Sequence, residues 1–181
     1  MKYFLLGILL LPIYLHAQIN EGNQDIFTFK EIKINPIYSG IGIAQIQFEK
    51  FQNNTRSLNV VVNYINLGYW GNNTGFGIGI GQRNYLKEKN GTGYFVEPFG
   101  SYFYLENRGA KQSTNTLSTG AVLGRKWLLF NRLSFDVYLG PSLNFGFMKE
   151  GTQSTQKIDY WVGPMNGIFA RFGCSMGYRF N

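Results

Sequence analysis

From Ala170 to Phe180 the chain alternates without a break. Ala170, Phe172, Cys174, Met176, Tyr178 and Phe180 share one parity, and Arg171, Gly173, Ser175, Gly177 and Arg179 share the other. A repeat of two residues marks a β-strand, because successive side chains leave a strand on opposite faces. The same period recurs over residues 30–38, 41–51, 57–67, 75–86, 94–105, 117–129 and 133–146, and the stretch just described completes an eighth segment at 167–180. No helical periodicity of comparable length competes with it. The pattern predicts an all-β chain of eight antiparallel strands running up and down, each near or above the roughly 9–11 residues that a tilted strand needs to cross a bilayer.

The connections support an ordered meander. Those after the second, fourth and sixth segments are tight (QNNT, KEKNGT, NR), and those after the fifth and seventh are longer (NRGAKQSTNT, KEGTQSTQKIDYWVGPMN), with shorter exceptions around YSG and GNNT. Tight turns at one end and longer loops at the other are the arrangement of an outer-membrane barrel. The Asn-Xaa-Thr triplets at Asn53, Asn72 and Asn90 lie in these connections and read as turn chemistry.

Alternation alone does not separate a membrane barrel from a soluble sandwich; the character of the polar face does. In the seventh segment Leu133, Phe135, Val137, Leu139, Leu143 and Phe145 oppose Ser134, Asp136, Tyr138, Gly140, Ser142 and Asn144. In the fourth, Phe76, Ile78 and Ile80 oppose a glycine row that ends in Arg83, and in the second, Ala44, Ile46 and Phe48 oppose Gln45, Gln47 and Glu49. A solvated outer face would be rich in Lys, Glu and Thr. Gly, Ser, Asn and Gln with an isolated ion per strand instead suit the narrow interior of an eight-stranded barrel. The ions on this face are Glu31, Lys33, Glu49, Arg83, Glu97, Lys126, Asp136, Arg171 and Arg179, five cations against four anions. A near balance of this kind is what a water-poor interior requires, since an unpaired buried charge costs several kcal/mol. Facing lipid instead, an Arg or Lys would cost about 2–4 kcal/mol at the bilayer midplane. The charges therefore set the phase: a polar lumen network inside and apolar residues against lipid. Glu97 then carries Phe95, Phe99 and Phe103 inward with it, while Arg125, Gln82 and Asn84 fall on the lipid side near the tight-turn rim.

Composition agrees with this picture: among 181 residues there are 23 Gly, 16 Phe and 12 Tyr but only 15% charged residues, a bias towards strand and turn formers. The opening MKYFLLGILLLPIYLHAQ has the basic start, short apolar stretch and small Ala17 of a secretory signal peptide. The expected organisation is a signal peptide at 1–17, a periplasmic segment at 18–29 and an outer-membrane barrel at 30–181. Cleavage removes the single histidine, His16, and the positive charge of Lys2 from a formal net charge of +7. The remaining Lys and Arg residues are scattered singly, so the charge together with export argues against nucleic acid as a partner. The single cysteine, Cys174, falls among the apolar residues of its strand and reads as a small hydrophobe.

Candidate chemistry is sparse. The run GFGIGIG spaces its glycines by two throughout, unlike a dinucleotide fingerprint, which opens a helix. Without a histidine in the mature chain, the usual general base of barrel hydrolases and acyltransferases is missing. Glu49, Glu97 or Asp136 beside Arg83 or Arg171 could be drawn as a dyad, but balanced lumen ions need no catalytic explanation. No enzyme activity, metal or cofactor is expected. Tyr160 and Trp161, in the long loop 149–166, suit either recognition of a ligand or the aromatic girdle of a membrane interface, with Tyr69, Trp70 and Tyr104, and the girdle has the stronger general warrant.

The stretches INPIYSGIGIAQIQFEKF, GFGIGIGQRNY, GYFVEPFGSYFY, VLGRKWLLFNRLSFDVYLGPSLNFG and FGCSMGYRFN resemble a family of small bacterial outer-membrane β-barrels of undetermined function, similar in architecture to the outer membrane protein A transmembrane domain. The end of the last strand, Met176, Tyr178 and Phe180, resembles the C-terminal signal read by the outer-membrane assembly machinery, although Asn181 follows Phe180 and Ser175 stands where that signal usually has glycine. The resemblance implies a monomeric eight-stranded transmembrane barrel in the outer membrane of a Gram-negative bacterium. Its partners would be membrane lipid and, during biogenesis, the assembly machinery. The implied role is structural, adhesive or surface-interacting. The alternatives are a barrel enzyme acting on lipid or peptide at the outer rim and a soluble, exported, lipocalin-like binder.

Overall fold

A computed structural model describes residues 29–67, 73–86, 91–107, 109–151, 156–158 and 163–180. The strands are β1 (Lys30–Ile34), β2 (Ile43–Asn53), β3 (Arg56–Leu67), β4 (Asn73–Tyr85), β5 (Gly93–Asn107), β6 (Gln112–Leu129), β7 (Leu133–Glu150), β8 (Gln156–Lys157) and β9 (Gly167–Phe180). Each strand from β1 to β7 pairs antiparallel with the next, β9 pairs with both β7 and β1, and the ring closes. This is the eight-stranded up-and-down barrel that the alternation predicts, with β8 a two-residue ribbon added to β7 beyond the ring.

Closure turns the two faces of the sheet into an inside and an outside, and the alternation sorts them as the charge argument requires. Arg83 is 1% exposed and Glu97 4%, whereas Ile78 is 53% exposed and Leu139 59%. On β5, Phe95 and Phe99 are buried in the lumen with Glu97, while Tyr94 and Tyr102 face out. Polar groups fill the centre and apolar ones cover the wall, the reverse of a water-soluble barrel.

Three boundaries differ from the sequence reading. The first segment does not run on to Tyr38: β1 stops at Ile34 and residues Pro36–Gly40 form a short helix, α1. Pro36 sits at the start of that helix, where its missing N–H costs nothing, and the Asn35 side chain caps it by accepting from the Tyr38 N–H at 3.1 Å. The stretch after the fifth strand is also mostly strand instead of loop. Asn107 pairs with Gln112, and Ser113, Thr114 and Asn115 extend β6 downstream of the turn. The seventh strand likewise continues to Glu150, paired with Gln112. The residues added to β5 and β6 are polar on both faces, so hydrophobic periodicity could not mark them, whereas in β7 outward Phe147 carries the apolar row one step further before Lys149 and Glu150. At the opposite end, the Asn53 side chain accepts from the Thr55 N–H at 2.9 Å, an Asx turn that accounts for the first Asn-Xaa-Thr triplet; Asn72 and Asn90 lie outside the described residues.

Lumen glycines leave room for large neighbours. A Cβ on Gly77 would meet the Phe103 ring, one on Gly81 the Glu97 carboxylate, one on Gly173 the Tyr138 hydroxyl, and one on Gly177 the Lys33 side chain. Gly124 is constrained on two sides, because its missing Cβ would face both the Phe95 ring and the Val137 carbonyl oxygen, the latter at 2.8 Å. Backbone cannot step aside as a flexible side chain can. Gly124→Ala is therefore expected to lower stability by about 1–3 kcal/mol, as overpacking does. The check is the urea midpoint of the folded protein, and an unchanged midpoint would mean that Phe95 does not occupy this position.

Candidate functional site: an ion network sealing the lumen

The end of the barrel that carries the tight turns holds a closed set of buried ions. Each is delivered to the interior by strand parity: Glu31 and Lys33 from β1, Glu49 from β2, Arg83 from β4, Glu97 from β5, Lys126 from β6, Asp136 from β7 and Arg179 from β9. Glu49 is the hub. Its carboxylate accepts from Lys33, from Lys126 at 3.0 Å, from Arg83 at 3.3 Å, from the Ser57 hydroxyl and from the Tyr85 hydroxyl at 2.7 Å. Asp136 takes Lys33 at 2.6 Å, the Arg83 guanidinium, and the Ser175 hydroxyl at 3.3 Å. Glu31 pairs with Lys126 at 2.6 Å and Arg179 at 2.7 Å and accepts from Ser134 at 3.0 Å. Glu97 closes the set, holding Arg83 at 2.5 Å and Asn59 at 3.0 Å.

Four carboxylates thus meet four cations, and each ion touches at least one of opposite sign. That balance is the condition for keeping charge out of water, because the desolvation cost is offset only when the pairs are close and the remaining lone pairs are satisfied. All four carboxylates are engaged, and Asp136 Oδ1 is the one carboxylate oxygen of the set buried without a hydrogen-bond partner among the described residues. Among the described residues, no group of three or more potential ligands could hold a metal ion.

Aromatic rings close the gaps between ions. Phe51, Tyr85 and Phe95 pack in the lumen, with Phe51 and Tyr85 stacked at 6.0 Å and Tyr85 5.7 Å from Phe95. Arg83 lies 4.4 Å from the centre of the Phe95 ring, Lys126 lies 4.6 Å from that of Phe51, and Arg179 lies 4.2 Å from that of Phe29. Cations desolvated against ring faces gain more than exposed ones do. Solvent reaches none of Glu31, Lys33, Glu49 or Asp136, so this layer is a plug across the lumen. Strand parity puts these eight ions on the lumen faces and puts Phe51, Ser57, Asn59, Tyr85, Ser134 and Ser175 there with them; which of these partners supports which ion is visible only in the contacts.

Arg171 is the exception among the nine residues assigned to the network. Among the described residues it forms no ion pair, and its guanidinium lies over the Phe99 ring at 4.0 Å. It is displaced along β9 from Ser175 and Arg179, towards the loop end, where none of the described carboxylates reaches the lumen. The polar groups of that half are amides and hydroxyls, the latter from Ser101, Thr116, Ser118 and Ser142; among the amides, Asn35 donates to Gln45 at 3.1 Å, Gln47 donates to Gln45 at 2.8 Å, and Gln45 donates to Asn63 at 2.7 Å. Tyr38 of α1 closes over this half by donating to the Phe172 carbonyl at 2.8 Å, and burial lifts its phenol above the ordinary range while Arg171 works the other way.

The remaining sequence candidates are placed on the outer wall or lie outside the described residues. Met176 and Tyr178 face outward on β9 beside Phe180, which pairs with Lys30 of β1. Cys174 is a free thiol on the same strand, partly exposed. Tyr160 and Trp161 fall outside the described residues. No protein-family model, curated protein or solved structure matches this chain. The resemblance seen in the sequence is thus supported at the level of an eight-stranded antiparallel barrel.

Proposed function

We propose that this chain is an outer-membrane protein that crosses the bilayer as a lumen-plugged barrel, with a structural, adhesive or surface-interacting role. The observation that carries this reading is the coverage of the outer wall. Every strand of the ring contributes exposed large apolar or aromatic side chains, including Ile32, Ile46, Val62, Ile78, Tyr102, Leu123, Leu139 and Phe172. In water, an apolar surface that encircles a protein would drive association, since a soluble monomer rarely exposes contiguous apolar patches beyond a few hundred Å². Lipid removes that cost, and the closed ladder satisfies the backbone inside it. In this orientation the tight turns face the periplasm and the extended β5, β6 and β7 project outside.

The plug argues against a general pore, because diffusion through the lumen would require solvent where Lys33 and Asp136 now meet. What remains for interaction is the loop end, where an open groove borders Tyr104, Glu106, Lys111 and Lys149. Outward Met176 and Tyr178 on the strand that completes the ring fit a segment read by the assembly machinery. Lipid and that machinery are the partners this reading requires, with the folded barrel acting as a monomer.

Cell fractionation combined with gel mobility tests the proposal. The protein is expected in the envelope fraction, and an unheated sample is expected to migrate differently from a boiled one, because a closed barrel resists unfolding by detergent. Recovery in the soluble fraction with no heat-dependent shift would reject a membrane location in favour of a soluble carrier.

A further inference from the structure

The tight-turn end of the outer wall carries an arc of cations with no acids among them in the described residues. Lys30 lies at the start of β1, Lys50 on β2, Arg56 at the start of β3, Arg125 on β6 and Arg132 in the β6–β7 turn. In the ring these belong to the consecutive run β6, β7, β9, β1, β2, β3. Among the described residues none of the five lies within ion-pair distance of a carboxylate. The described acids are elsewhere. Glu31, Glu49, Glu97 and Asp136 are committed to the lumen, and Glu106 and Glu150 stand at the loop end near Lys111 and Lys149.

Two local arrangements indicate that these cations await an anion. Lys30 and Lys50 are register partners on adjacent strands and both take the outward parity. Like charges directly opposite destabilise a sheet unless something negative lies between them. Arg125 lies over two aromatic rings, 4.9 Å from the centre of Tyr94 and 5.2 Å from that of Trp127, with Nη1 donating to the Tyr94 hydroxyl at 3.4 Å. Its Nε is buried and has no acceptor among the described residues. Arg132 is anchored in a similar way, donating to the Tyr178 hydroxyl at 3.1 Å.

The height of the arc selects the partner. Lys50 is two residues from outward Phe48, and Arg125 stands between outward Leu123 and Trp127. Lys30, Lys50, Arg56 and Arg125 therefore sit on the side wall at the border of the apolar band, where long basic side chains reach the headgroup level from hydrocarbon. A protein or nucleic acid meeting the barrel end-on would find, of the five, only Arg132 in its turn. We propose that this arc binds the headgroups of anionic glycerophospholipids, of the phosphatidylglycerol type, in the leaflet at the tight-turn end. The proposal rests on the membrane reading given above.

Trp127 offers a local probe, since Trp70→Phe with Trp161→Phe leaves it the sole emitter of the three tryptophans. The full chain, folded into vesicles, would be quenched by chain-brominated phosphatidylcholine or by chain-brominated phosphatidylglycerol. Correct folding of each variant is verified by its heat-dependent gel shift. The expected result is a preference for the anionic lipid of about fivefold or more, as one surface cation contributes about 1 kcal/mol. Added salt is expected to weaken the preference. Arg125→Gln with Arg132→Gln should bring it close to parity, and Arg125→Lys with Arg132→Lys should retain most of it. Equal quenching by both lipids in the parent, or an undiminished preference in the glutamine variant, overturns the headgroup site while leaving the membrane reading intact. Absence of quenching by either lipid overturns the membrane reading itself.

Discussion

Glu49→Gln is expected to destabilise the folded barrel by about 3–5 kcal/mol, the usual consequence of removing one partner from a buried set of charges. The side chain accepts from Lys33, Lys126, Arg83, Ser57 and Tyr85, so its neutralisation leaves four cations facing three carboxylates where solvent does not reach. The amide is nearly isosteric, so little of the loss comes from packing. It also turns one acceptor into a donor that points at existing donors. Equilibrium unfolding in urea, in vesicles or micelles, measures the effect. Glu106→Gln serves as a control: that side chain is exposed at the loop end and should change the midpoint by well under about 1 kcal/mol. Adding Lys126→Gln to Glu49→Gln restores the balance of charge and should recover part of the loss, because the two residues share one network. A Glu49→Gln protein as stable as its parent would mean that the plug is not assembled around this carboxylate.

The second large effect concerns the outer wall. Leu139 faces outward midway along β7, opposite Leu123 of β6 and Phe172 of β9. If lipid surrounds the wall, Leu139→Arg places a guanidinium near the middle of the hydrocarbon and should cost about 2–4 kcal/mol of folding free energy into vesicles. Leu133→Arg, on the same strand and the same face but beside the tight turn, should cost about 0–1 kcal/mol, because the side chain reaches the interface. The difference between the two variants is the informative quantity. A soluble barrel would tolerate both alike, since each side chain is about half exposed and water solvates arginine at any height. Equal folding of the two variants into vesicles would therefore remove the support for a bilayer around the barrel.

Much of this architecture was legible in the residues, because a strand writes its two environments alternately along the chain. The row Ser134, Asp136, Tyr138, Ser142 and Asn144 set against Leu133, Val137, Leu139 and Leu143 identifies both a strand and its orientation without reference to any other strand. The same reasoning placed Glu97 with Phe95 and Phe99 inside the lumen, an unexpected company for a carboxylate, and the structure buries all three. Where alternation is lost, so is legibility. Helix α1 depends on one capping side chain and one proline, signals shorter than any period. The extended end of β6 is polar on both faces and is recognisable only once its hydrogen-bonding partners are in place.

The number of ring strands, their order as a meander, and the face of each that carries ions are written in the residues, because parity and charge are local properties that survive without knowledge of contacts. Which ions meet is a property of the closed ring. Lys33 and Asp136 are 103 positions apart and touch because ring closure through β9 brings β1 close to β7. The same geometry left Arg171 out of the network, since its place along β9 puts it nearer the loop end than any lumen carboxylate. Pairing across a closed ring depends on register and tilt, which belong to the assembled sheet and to no single strand.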